Sequence, residues 1–309
     1  MKAHHVVSAA TLALSLVMSG VAVGSADTPA GGVASGDSYV ALGSSYAANG
    51  AIAGDFLCGR SPDNYAHLVA ARFGLILTDA TCSGATIDNI VDTPQVHYTG
   101  ARIAPQIDAV QPGTDLVTVT IGGNDVSYIS TLFRRSCAAD RRPFDALAAP
   151  PALRAAIEGA LCSGTVDSTA IQTALDGLTD ELTNMVDAIR VRAPHARIVF
   201  VDYLTVLPQS GKPCVGVPLA KDDQKHILDI ARQLQLATKH SAQRTGTELI
   251  ELSKASRSHD ACSDDPWVKG WDVSGTVTGN AGPYHPNAEG VLAAARLLIE
   301  ELGSGRPSD

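Results

Sequence analysis

Tyr39-Val40-Ala41-Leu42-Gly43-Ser44-Ser45-Tyr46 decides how this chain is read. A short apolar run ends in Gly-Ser-Ser and passes into a segment able to begin a helix. Apolar runs of this length read as strands buried in a sheet. A strand that turns at once into a helix exposes the turn residue at the carboxyl end of the sheet, where α/β proteins place ligands. The helix amino terminus behind the turn favours developing negative charge. Ser45 holds that position and is the candidate nucleophile. By itself the motif is no more than a turn after a strand. A second serine competes in Gly36-Asp37-Ser38-Tyr39, but the preceding 29–35, with its proline and glycines, cannot be a buried strand. Ser38 would therefore start the strand, at the wrong end for a site.

Outward from this stretch, strand-like and helix-like segments alternate. Strands are expected at 38–42, 75–81, 116–121, 197–203 and 248–252, all short and rich in Val, Ile and Leu, as strands buried on both faces should be. Helices are expected from Ser61-Pro62 to Gly74, over 168–192 and 221–240, and from His285-Pro286 to about 302. Alternation of this kind gives an α/β fold, a parallel sheet with helices on both faces. Residues 135–165 contain no strand pattern and read as an insertion at one edge.

The amino terminus reads differently. Lys2, His4 and His5 precede an apolar run over 6–18, and Gly24-Ser25-Ala26 offers a small-residue cleavage site before Asp27. The run is shorter than the roughly 20 residues a spanning helix needs. Residues 1–26 are expected to be a secretory signal peptide, 27–37 a lead-in, 38–303 one folded domain and 304–309 a tail. The mature protein is then exported, with no integral membrane segment. Its six cysteines, Cys58, Cys82, Cys137, Cys162, Cys214 and Cys262, suit disulfides in that setting. Many pairings are possible, and sequential pairing would close three short loops. No C-x-x-C or H-E-x-x-H spacing supports a metal site. The net charge of −9 argues against a nucleic-acid partner.

Three further motifs carry chemistry. Cys82-Ser83-Gly84-Ala85 follows the second strand, and its glycine lets a backbone N–H approach a ligand oxygen. Gly122-Gly123-Asn124-Asp125 follows the third strand and can present a side-chain amide as a neutral donor to an oxyanion. Tyr284-His285-Pro286-Asn287 precedes the last helix, with His285 as the expected N-cap. The other histidines fall in the leader, in helices or in polar loops.

Four such motifs in this order resemble the signature blocks of the SGNH (GDSL-type) hydrolase family over about residues 38–302. Ser45, Gly84, Asn124 and His285 stand at the family's nucleophile, glycine, asparagine and histidine. The cysteine couples are similar to those of its secreted actinobacterial lipases and esterases. The resemblance implies a flavodoxin-like three-layer α/β/α sandwich with a central parallel sheet of about five strands. It also implies a Ser45–His285 acyl-enzyme mechanism without a cofactor. The oxyanion would be held by the N–H groups of Ser45 and Gly84 and the Asn124 amide. Three positions depart from the pattern: Ser44 replaces an aspartate, Gly50 comes one residue late, and Gly282 stands where an aspartate usually orients the histidine. The carbonyl of Gly282 is the expected substitute, with Asp264, Asp265 or Asp272 as the alternative.

The expected activity is that of a carboxylesterase or lipase on a small-molecule or lipid ester. A carbohydrate O-acyl esterase on an acylated-glycan ester, an acyltransferase moving the acyl group to a sugar, and a phospholipase are the alternatives on the same fold. A non-catalytic binding module is opposed by the intact serine, glycine, asparagine and histidine, and a protease by the lack of a peptide-binding edge. Loops 92–105, 135–165 and 205–220 are expected to wall the site of a monomer.

Overall fold

Each apolar run read as a strand forms one in the computed structural model, which describes Met1 and residues 32–49, 55–97, 99–212, 214–275 and 281–304. Residues 2–26 of the expected leader, 27–31 of the lead-in, Gly50 and 305–309 of the tail lie outside the described residues. The strands are β1 (Ser38–Gly43), β2 (Ile76–Asp79), β3 (Gln95–Val96), β4 (Arg102–Ile103), β5 (Leu116–Thr120), β6 (Arg197–Val201) and β7 (Glu248–Ile250). Five form one parallel sheet in the order β2-β1-β5-β6-β7, while β3 and β4 make a separate antiparallel hairpin. Counted within the sheet, the order is second, first, third, fourth, fifth, which is the flavodoxin-like arrangement. The chain leaves β1 toward one edge and later returns to its other side, so the topological switch point lies between β1 and β5.

β5 is buried along its whole length and β1 in all but its first residue, as strands covered on both faces must be. β2 departs from that expectation. It is an edge strand, and its Ile76 is 64% exposed.

The helices are α1 (Ser45–Ala48), α2 (Tyr65–Phe73), α3 (Ile87–Val91), α4 (Tyr128–Ala139), α5 (Arg142–Asp145), α6 (Pro151–Cys162), α7 (Ser168–Arg192), α8 (Lys221–Thr245), α9 (Leu252–Ala255) and α10 (Ala288–Gly303). α2 packs on α10 and α7 on α8, giving the two helical layers of the α/β/α sandwich. Two helix starts differ from the expectation. α2 begins at the N-cap Asn64, whose side chain accepts the Ala66 and His67 N–H groups, and Ser61-Pro62 forms a preceding turn. α10 is capped by Asn287, so His285 lies two residues ahead of the cap and its ring is free for another partner.

The insertion over 135–165 holds the end of α4 with α5 and α6, and Cys137–Cys162 ties α4 to α6. Cys58–Cys82 and Cys214–Cys262 complete the sequential pairing. One contiguous apolar core runs from Tyr39 to Leu302. Among the described residues no helix is long and apolar enough to cross a membrane.

Candidate active site

At the end of β1 the chain approaches β5 too closely for a side chain. Gly43 has φ +144°, and a Cβ there would lie 2.5 Å from the Thr120 carbonyl oxygen. The buried side chain of Gln106 holds this glycine from both sides: Oε1 accepts its N–H at 2.7 Å and Nε2 donates to its carbonyl at 2.9 Å. Ser44 N–H then donates to Thr120 O at 3.0 Å, and α1 starts at the half-buried Ser45. Ser38 sits at the opposite end of β1, its N–H on the Asp115 carboxylate.

His285 Nε2 lies 2.8 Å from Ser45 Oγ, across 240 residues of sequence. Its Nδ1 lies 2.8 Å from the carbonyl oxygen of Pro283. A carbonyl only accepts, so Nδ1 carries the hydrogen and Nε2 is left with a lone pair toward the serine hydroxyl. Burial holds the imidazole pKa below its ordinary value; the Pro283 bond opposes this and the nearby Lys269 charge adds to it. The ring is thus a neutral acceptor at pH 7, poised to take a proton from an attacking hydroxyl.

The expectation of Gly282 as the orienting carbonyl is corrected by one residue. Gly282 O accepts the backbone N–H of His285 at 3.4 Å instead. The cause is Tyr284, which adopts φ +59° and turns the chain so that Pro283 O faces the ring. Burial and contact hold that left-handed residue in place. Its hydroxyl is 2.5 Å from Ser136 Oγ of α4, its ring stacks on Trp271 at 6.0 Å, and its carbonyl accepts the Tyr46 hydroxyl. The Tyr46 ring lies 5.2 Å from His285 on one side, and Phe133 of α4 lies 6.2 Å away on another. These aromatic supports were not read from the sequence; the signal was Tyr46 and Tyr284 flanking the two key residues. Two of the acidic candidates go elsewhere: Asp265 pairs with His259, and the Asp272 carboxylate accepts Ser274 N–H.

The other two motifs reach the same end of the sheet. Gly84 is exposed with φ +83° in a turn stapled by Cys58–Cys82 and anchored by Cys82 N–H on Gly43 O. Asn124 Nδ2 donates to Ala85 O at 2.8 Å, and Asp125 Oδ1 accepts Ile87 N–H at 2.9 Å. The second and third loops are therefore fastened to each other and, through Gly43, to the loop carrying Ser45. Burial raises the Asp125 pKa to about 6. Among the described residues no group of three or more His, Cys, Asp or Glu is arranged to hold a metal ion.

The GDSL-like lipase/acylhydrolase family profile matches residues 36–292. This chain belongs to that family. As a member of it, the protein is a carboxylic ester hydrolase. It is 32% identical over 273 residues to Lipase 2 of Streptomyces coelicolor, covering 86% of this chain and 85% of that one. It is 26% identical to an esterase of Streptomyces scabiei, with 79% and 77% covered. Among solved structures, the extracellular lipase of Streptomyces rimosus superposes with a TM-score of 0.61 at 26% identity, covering 87% of this chain and 100% of that one. Phospholipase A1 of Streptomyces albidoflavus shares the fold, with a TM-score of 0.62 at 24% identity and 88% and 100% covered.

Proposed function

We propose that this GDSL-like hydrolase is a secreted esterase of lipase type that works through a Ser45–His285 dyad oriented by the Pro283 carbonyl. The 2.8 Å contact between Ser45 Oγ and His285 Nε2 carries the reading, because Nδ1 is already committed to a carbonyl. As Oγ attacks the ester carbonyl carbon, its proton passes to Nε2. The carbonyl oxygen becomes an oxyanion, met by the N–H groups of Ser45 and Gly84 and the Asn124 amide. On collapse, the alcohol leaves with the proton from His285, and Ser45 is acylated. Water then adds to the acyl group as His285 takes its proton. The acid departs, and the proton returns to Ser45 Oγ. None of these steps requires a cofactor.

Similarity to relatives named as lipases and an esterase supports esters with an acyl chain as substrates. Three disulfides and an extracellular relative support export. The test is hydrolysis of a p-nitrophenyl ester series of increasing acyl length by the purified mature protein. Ser45→Ala is expected to lose on the order of a millionfold in kcat, the scale of removing a catalytic serine. Ser38→Ala should be nearly silent. Full activity in Ser45→Ala overturns the mechanism.

A further inference from the structure

Tyr203 lies two residues beyond β6, with its ring only 3% exposed and its hydroxyl beneath the Gly122-Gly123-Asn124 loop. Oη accepts the Gly123 N–H at 3.0 Å and stands 3.3 Å from Ser44 Oγ. Since Oη already accepts from an amide, its own proton is available to Ser44. Both partners are placed tellingly. Gly123 immediately precedes Asn124, and Ser44 immediately precedes Ser45. The approach is close enough to exclude a side chain, because a Cβ on Gly123 would fall 2.6 Å from Oη. The ring also lies 4.6 Å from Tyr46, which in turn contacts His285. A phenol surrounded by buried aromatics fills space as well as phenylalanine would. Its hydroxyl is retained at the cost of needing partners, and the partners here are the Gly123 backbone N–H and the Ser44 side-chain hydroxyl, one in each of the two loops.

We infer that Tyr203 is a positioning residue. Its hydroxyl bridges the Gly123 amide and Ser44, and so fixes the Asn124 donor relative to the Ser45 nucleophile. The inference rests on the dyad reading above. It also accounts for Ser44, which stands where the family resemblance leads one to expect an aspartate: a short hydroxyl there meets the tyrosine without burying a charge. Oxyanion donors must be held to within about half an ångström of their working place, and a misplacement of about 1 Å costs on the order of a hundredfold in rate. Tyr203 touches no substrate in this scheme, so its loss should slow the chemical step and leave ground-state binding alone.

The test compares wild type, Ser45→Ala, Tyr203→Phe, Asn124→Ala and the Tyr203→Phe/Asn124→Ala double variant on one p-nitrophenyl ester, with Tm measured for each. Tyr203→Phe is expected to lower kcat roughly ten- to a hundredfold with KM changed less than about twofold. In the double variant the losses should not multiply, because the tyrosine acts through Asn124, and coupled residues fail additivity. A Tyr203→Phe enzyme within twofold of wild type, or losses that multiply, overturns the inference while leaving an inactive Ser45→Ala to support the dyad. An active Ser45→Ala overturns both. If Tyr203→Phe does not fold, Ser44→Ala serves in its place. It should show lower kcat at unchanged KM, and wild-type kcat in that variant overturns the bridge.

Discussion

A backbone carbonyl, not a carboxylate, stands behind His285. It fixes the tautomer as an aspartate would, but it brings no negative charge to stabilise the imidazolium. With burial dominant, the folded pKa lies below the ordinary histidine value, so the base form persists into mildly acid solution. The acid limb of kcat/KM, which reports the free enzyme, is expected to have its midpoint below about 6.5. A midpoint at or above 7 contradicts this. Asp264→Asn, Asp265→Asn and Asp272→Asn should each keep most of their rate, whereas a triad member would lose about ten-thousandfold. The serine and histidine were legible because each sits at a junction with a local signature. The orienting carbonyl was displaced by one residue because it depends on φ +59° at Tyr284. A tyrosine seldom adopts that region, and only the packing of Ser136, Trp271 and Tyr46 around it makes the conformation stable here.

Between elements, a buried polar contact joins the end of β6 to α9. Asp202 is buried and accepts the Ser253 N–H at 2.8 Å and the Ser253 hydroxyl at 2.5 Å. Burial nevertheless wins over these bonds and raises its pKa to about 7. An unfolded aspartate ionises near 3.9, so between the two values the unfolded chain holds fewer protons than the folded one. The stability contributed is complete below about pH 4 and is lost as pH rises toward 7. Asp202→Asn keeps an acceptor for Ser253 N–H and removes the buried charge. The Tm difference, variant minus wild type, is expected to be more favourable at pH 8 than at pH 5. A difference that does not depend on pH contradicts the assignment. Element starts were the weakest part of the sequence reading. Ser61-Pro62 and His285-Pro286 have the form of helix openings, yet Asn64 and Asn287 are the caps that satisfy the first N–H groups. α8 also runs five residues past the expected 240, because Ser241 and Ala242 continue its buried face until Gly246, at φ +64°, ends it.

For the whole molecule, sheet order was readable only as a class. Apolar runs alternating with amphipathic ones specify a parallel sheet, but which strands are edges depends on pairing. Ile76 is as apolar as Leu116 or Val117 of β5 and still ends up in the open. The cysteines add a constraint that patterning cannot supply. The three bridges close sequence separations of 24, 25 and 48 residues. In the chain-entropy account, loops of these lengths contribute about 3.5, 3.5 and 4 kcal/mol, roughly 11 kcal/mol together. Whole domains are stable by only about 5–15 kcal/mol. Two of the bridges also join parts of the site's support: Cys58–Cys82 holds the Gly84 turn, and Cys137–Cys162 anchors α4, which carries Phe133 and Ser136 against the His285 loop. A protein so balanced folds durably only where thiols oxidise, which agrees with the proposed export. Thermal unfolding in excess dithiothreitol is therefore expected to begin tens of degrees below that of the oxidised protein, with esterase activity lost over the same range. A reduced enzyme with unchanged Tm would show that the core alone carries the fold and would remove the disulfides as an argument for secretion.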